Sequence, residues 1–163
     1  MKTLLKPWIA RLGIYPLAAG LYETWRLLAR PHTHGALVAI WDQGRLLLVQ
    51  ASYRRCLSLP GGGIARNEPP RQAAVRELAE ELGLTVSAQD LGEPWGVSEC
   101  SARGRNTVWI FPLDGTKLAA NGSDAGKGAR IQPDGLEIVA CHWLTREQAL
   151  SRPVTSHLRD YLQ

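Results

Sequence analysis

The chain has 163 residues, 45% hydrophobic and 21% charged, which is enough apolar material for one buried core and excludes wholesale disorder. Three cysteines, an odd number with no close pairs, exclude a disulfide-stapled secreted mini-protein and favour a reducing, cytoplasmic compartment. The net charge of +4 is local: residues 1–31 carry five basic residues against Glu23 alone, and the remainder carries 14 of each sign, so DNA is not an expected partner.

Residues 1–31 form an arm of their own. Leu4, Leu5, Trp8, Ile9 and Leu12 recur at helical spacing, Pro16 interrupts, and Leu17, Leu21, Trp25 and Leu28 follow. Arg11, Glu23 and Arg26 break every window long enough to cross a bilayer. The pattern predicts an amphipathic helical arm packed on the domain or on a second copy, so a homodimer through the arm is the expected partner contact. A peripheral membrane helix is the alternative, because Trp with Lys and Arg is also the interfacial composition.

Residues 32–163 are expected to form the main domain. Strands are predicted at Gly35–Trp41 and Arg45–Gln50, joined by an Asp42-Gln43-Gly44 turn. A loop carries Tyr53, Arg54 and Arg55 into Leu59-Pro60-Gly61-Gly62-Gly63, where three glycines let backbone approach a ligand closely. A helix is predicted over Pro69–Leu82, with Pro69 at its first position and Gly83 as its stop. Further strands are expected at Trp95–Cys100, Thr107–Leu113 and Glu137–Leu144. Residues from about 114 to 135 read as a long mobile loop, and short helices are expected at Arg146–Leu150 and beyond Pro153.

The helix over 69–82 carries the chemistry. With Glu77 at zero, Glu81 falls near about +40° and Glu80 near about −60°, while Val75, Leu78 and Leu82 fall at about +100° to +160°. One face grips a core and another gathers three carboxylates. That patch is either a solvated acidic face or a seat for a hard divalent cation, Mg²⁺ or Mn²⁺. Glu68 precedes Pro69, which biases it away from helical geometry and towards a capping role. Arg76, two turns on, can reach back and brace loop against helix.

Gly62, five residues, Glu68, seven residues, then Arg76-Glu77-Leu78-Ala79-Glu80-Glu81-Leu82-Gly83-Leu84 resembles the Nudix box, with every fixed position filled between residues 62 and 84. Weaker similarity runs from about Thr33 to Leu150, and the arm lies outside it. The resemblance implies an α/β/α sandwich with a mixed sheet. It also implies metal-dependent hydrolysis of a nucleoside diphosphate linked to another moiety. Glu77 and Glu81 match the family's main metal ligands. Glu80 matches the neighbouring carboxylate, which shares the metal or acts as base. Arg76 and Glu68 match the loop-holding pair, and Gly62 the loop glycine. The box leaves the base open among Glu80, Glu99 and Glu137.

On the substrate side, Arg54 and Arg55 can pair with phosphates, beside the Gly61–Gly63 backbone. A solvated loop is the alternative for this pair, and the same two readings apply to Arg103 and Arg105 at a predicted hairpin tip. Tyr53, Trp95, Trp109 and Phe111 are assigned to packing rather than base stacking. Two other functions share the box: a Nudix-fold sensor that has lost catalysis, which should have eroded its glutamates, and an RNA 5′-end pyrophosphohydrolase.

Overall fold

The computed structural model of the chain describes residues 32–101, 104–120 and 131–163. The expectations for residues 1–31, for Arg103 and for residues 121–130 of the expected mobile loop lie outside the described residues.

The first strand, β1 (His32–Asp42), is longer than its apolar run because its polar start, His32 to His34, is paired as well. A two-residue turn with Gln43 at φ 47° and Gly44 at φ 74° leads into β2 (Arg45–Ala51). Both turn dihedrals are positive, the twist that suits a tight hairpin. Two short strands follow, β3 (Leu57–Ser58) and β4 (Gly61–Gly63). The glycines of β4, expected as open loop, instead pair with Gly35, Ala36 and Leu37 of β1. Glycine carries little strand propensity, so only the pairing partner reveals this element.

Helix α1 spans Pro70–Leu82, with Pro69 as its extended N-cap rather than its first residue. Pro70 is the reason: a proline drives the residue before it out of helical geometry. Gly83, at φ 66°, closes the helix in the left-handed conformation. The edge hairpin is β5 (Trp95–Ser101) and β6 (Gly104–Asp114). The stretch expected as loop from residue 114 opens with helix α2 (Thr116–Ala120), because Asp114 Oδ1 accepts from both the backbone N–H and the hydroxyl of Thr116. Last come β7 (Ile138–Leu144), α3 (Arg146–Leu150) and α4 (Ser156–Leu162). Thr145 caps α3 in a reciprocal box with Gln148.

The seven strands among the described residues form one mixed sheet in the order β3-β2-β1-β6-β5, with β7 on β2 and β4 on the early half of β1. β1 and β6 run parallel over ten paired residues, while the other pairings are antiparallel. Both faces are covered. Ala36, Val38 and Ile40 pack with Leu78 and Leu82 of α1, and Leu37 and Ala39 pack with Ala149, Leu158 and Leu162 of α3 and α4. Burial on both faces explains the unbroken apolar run of β1. Leu78 and Leu82 are fully buried, each contributing on the order of 1.5–3 kcal/mol. The result is the expected α/β/α sandwich, and α1 is pinned with its glutamates beside β4.

Candidate active site

Three segments meet around the carboxyl-terminal half of α1. The first is β4, which crosses beneath the helix. The fit is close: a Cβ on Gly61 would stand 2.3 Å from the Ala36 carbonyl oxygen, and one on Gly62 would stand 2.8 Å from the Glu77 carboxylate. The glycines are there because strand and helix leave no room for side chains.

Glu81 is the deepest charge among the described residues, 6% exposed, and its Oε2 accepts the Gly61 N–H at 2.8 Å. Burial pushes its pKa up to about 8, against the pull of the Gly61 bond, and the charges of Glu137, Glu77 and Asp134 add to the rise. Glu77 is also shifted upward by burial, opposed by Arg76, whose Nη1 lies 2.7 Å from Glu77 Oε1. Glu80 is half exposed and stands 3.8 Å from the same guanidinium nitrogen. The three carboxylates on one helix therefore sit at graded depths rather than on a solvated face.

Arg76 makes the brace that the spacing predicts. Its Nε and Nη2 donate to the two oxygens of Glu68 at 2.8 and 3.0 Å, and Nη2 also donates to the Gly63 carbonyl at 3.0 Å. Glu68 does not cap α1, because Pro69 occupies the cap and no side chain bonds there. It caps the loop instead, accepting the Ala65 N–H at 2.9 Å. The Arg76 bonds hold its pKa down, to about 2.

The third segment leads into β7. Gln132 N–H donates to the Leu82 carbonyl and Asp134 N–H to the Glu81 carbonyl, both at 3.0 Å, so this stretch is tied to the end of α1. Asp134 Oδ1 then accepts the N–H groups of Leu136, Glu137 and Ile138 at 3.1, 3.0 and 2.9 Å. Glu137 is fixed just before β7, with its charge acting on both Glu81 and Glu77. Its Oε1 accepts the Tyr53 hydroxyl at 3.0 Å. Burial, and then the Glu81 charge, push the nearby Cys141 thiol up to about 11.

The structure thus brings together Gly61, Gly62, Gly63, Glu68, Arg76, Glu77, Glu80, Glu81 and Glu137. Glu99 lies elsewhere: it sits on the edge strand β5 opposite Asn106, at the other side of the sheet from β7. Arg54 stands with Cζ 5.3 Å from the centre of the Tyr53 ring, while Arg55 and Arg105 are exposed. Phe111 is buried and Trp109 packs against the core, as expected, but Tyr53 and Trp95 are exposed at 36% and 38%. A shallow depression of about 550 Å³, lined by Trp41, Gln43, Asp90, Pro112, Asp114 and Lys117, includes none of the clustered glutamates.

Sequence reasoning missed Asp134 altogether, and assigned Tyr53 to packing where its hydroxyl is a partner of Glu137. An Asp-Gly pair shortly before a predicted strand is a turn signal that marks Asp134. Nothing local marks the partnership of Tyr53 with a residue 84 positions away.

No three His, Cys, Asp or Glu side chains among the described residues already stand in a metal-holding arrangement. The donor chemistry nevertheless fits a hard divalent cation. Glu81 and Glu77 are desolvated carboxylates, Glu81 facing the charges of Glu137, Glu77 and Asp134 and Glu77 those of Glu80 and Glu137, and a cation among them would relieve both costs.

Among known proteins, diphosphoinositol polyphosphate phosphohydrolase 3-alpha of Mus musculus is 31% identical over 106 residues, 61% of this chain. The match spans 63% of that relative's length. An RNA pyrophosphohydrolase of Hydrogenovibrio crunogenus is 37% identical over 51 residues, 31% of each chain. The fold is similar to a MutT NUDIX hydrolase structure from Burkholderia pseudomallei, with TM-score 0.62 at 23% identity over 81% of this chain and 96% of that one. It is also similar to the MutT protein of Methanosarcina mazei, with TM-score 0.63 at 20% identity over 82% and 91%. The NUDIX domain family model matches residues 31–163, the whole sheet with its flanking helices, and the chain belongs to the NUDIX-domain family.

Proposed function

We propose that this chain is a divalent-metal-dependent hydrolase of phosphoanhydride bonds, acting on a nucleoside diphosphate linked to another moiety. The observation that carries the reading is Glu81: a buried carboxylate that faces the charges of Glu77, Glu137 and Asp134 and has a backbone N–H as its donor. Such a group is costly as structure and useful as a cation seat.

Glu77 and Glu81 are the ligands in this reading, with Glu80 sharing the ion. Mg²⁺ is the expected cation and Mn²⁺ its substitute, both suited to oxygen donors. When bound, the cation neutralises charge on the phosphate oxygens. Glu137 takes the proton of the attacking water, with Glu80 as the second candidate. The Arg76–Glu68 brace and the Gly61–Gly63 strand keep Glu77 and Glu81 in place, and Arg54 and Arg55 pair with substrate phosphates. Half-buried free thiols at Cys56 and Cys141 fit a reducing, cytoplasmic setting.

A second reading keeps the chemistry and changes the substrate. The relatives named for diphosphoinositol polyphosphates, together with Arg54 beside Tyr53, favour a small, highly phosphorylated anion. The relative named for RNA points to a 5′-phosphorylated end, but the charge balance of residues 32–163 disfavours a long RNA. A silent sensor is disfavoured because Glu77, Glu80 and Glu81 are all kept.

The test is a phosphate-release screen with Mg²⁺ over nucleoside diphosphate sugars, dinucleoside polyphosphates, NADH, ADP-ribose, nucleoside triphosphates, diphosphoinositol polyphosphates and capped or triphosphorylated RNA. Turnover on at least one member, lost in Glu81→Gln, is expected. Tight binding of a member with no turnover would establish the sensor instead.

A further inference from the structure

The turn after β2 and the turn before β7 are joined twice. The Ser52 N–H donates to the Glu137 carbonyl at 2.8 Å, and one residue on, the Tyr53 hydroxyl donates to Glu137 Oε1 at 3.0 Å. On the other side, Asp134 Oδ1 takes the Glu137 N–H. Both backbone groups of Glu137 are therefore held, one by each flanking turn. What the backbone does not hold is the side chain. A glutamate has three rotatable bonds, and fixing them costs conformational entropy unless a partner offsets it.

We propose that Tyr53 is the positioning residue for Glu137, holding one carboxylate oxygen so that the other is presented towards the Glu77–Glu81 cluster. A hydroxyl-to-carboxylate bond is charge-assisted and directional, which suits that purpose. The Tyr53 ring is itself steadied. Arg54 lies over it at 5.3 Å, and the Gln50 side-chain amide holds the Arg54 carbonyl. Burial and the adjacent Glu137 charge push the phenol pKa above its ordinary value, so the hydroxyl keeps its proton to donate at neutral pH. This arrangement makes Tyr53 act through Glu137 rather than on the substrate.

The inference rests on Glu137 as the base, and a double-mutant cycle separates the two claims. Tyr53→Phe, Glu137→Gln and the double variant are assayed with Mg²⁺ on the fastest-cleaved member of the screen above. Tyr53→Phe removes one hydroxyl from a part-exposed ring, so its melting temperature should match wild type. It should lower kcat by roughly 10- to 100-fold while KM stays within about twofold. In the Glu137→Gln background the same change should cost nothing further. A wild-type kcat for Tyr53→Phe, alongside an impaired Glu137→Gln, overturns the positioning role and leaves the base intact. The same fold-loss in both backgrounds also overturns it, because Tyr53 then acts independently of Glu137. A wild-type kcat for Glu137→Gln removes the base and the inference together.

Discussion

Replacing Glu81 with Gln should make the metal-free protein more stable and inactive at once. In the folded chain the Glu81 pKa is raised from 4.5 to about 8, chiefly by burial. Below pH 4.5 the group is protonated in both folded and unfolded chains, and its ionisation costs nothing. Between 4.5 and 8 the unfolded chain ionises while the folded chain keeps its proton, so stability falls as pH rises. Above 8 both are ionised and the loss is complete. At ~1.4 kcal/mol per pH unit, that gap sets a ceiling of ~5 kcal/mol, which relaxation and water entry will lower to about 2–5 kcal/mol. Glutamine is nearly isosteric, keeps an acceptor for the Gly61 N–H, and never ionises. Urea denaturation in EDTA should therefore show Glu81→Gln close to wild type at pH 5 and more stable by a few kcal/mol at pH 8.5. Mg²⁺ should raise the wild-type midpoint at pH 8.5 and leave the variant unmoved. A variant less stable than wild type at pH 8.5, or an equal difference at both pH values, would refute the buried-charge argument.

Other consequences are as direct. Arg76→Ala removes the partner of Glu68 and Glu77; with about a third of the Arg76 side chain exposed, the loss should be about 1–2 kcal/mol, seen as a lower melting temperature without metal. The two glycines of β4 should respond differently. Gly61→Ala meets backbone at 2.3 Å with φ 126° and should cost more than about 3 kcal/mol or prevent folding. Gly62→Ala meets only the end of the Glu77 side chain, so it should keep most stability while cutting turnover at least about tenfold by displacing that carboxylate. Deleting residues 1–30 should lower solubility or change the oligomeric state in size-exclusion chromatography without loss of turnover per intact site. Flotation of the full chain with anionic vesicles, lost on deletion, would favour the membrane alternative.

Much of the site was legible because its residues are close in sequence. Helical geometry alone groups Glu77, Glu80 and Glu81, and the eight-residue step from Glu68 to Arg76 already suggests the brace. Depth was not legible. The wheel places Glu80 and Glu81 on one face, yet Glu81 is buried and Glu80 half exposed, because β4 and the 131–137 segment cover only one flank of the helix. The pairing of β4 escaped notice since glycine runs read as loop, and the Pro69 boundary moved because its successor is also proline. The Tyr53–Glu137 bond joins residues whose neighbourhood exists only after β2 and β7 pair, so no local pattern encodes it.

The most direct measurement of the central claim is metal-dependent turnover in wild type and Glu81→Gln side by side. With the screened compounds at pH 8, wild type should release product in Mg²⁺ and stop in EDTA. Glu81→Gln, folded and no less stable, should lose at least about 100-fold in kcat. Turnover by Glu81→Gln at the wild-type rate, or wild-type turnover indifferent to EDTA, would contradict the account.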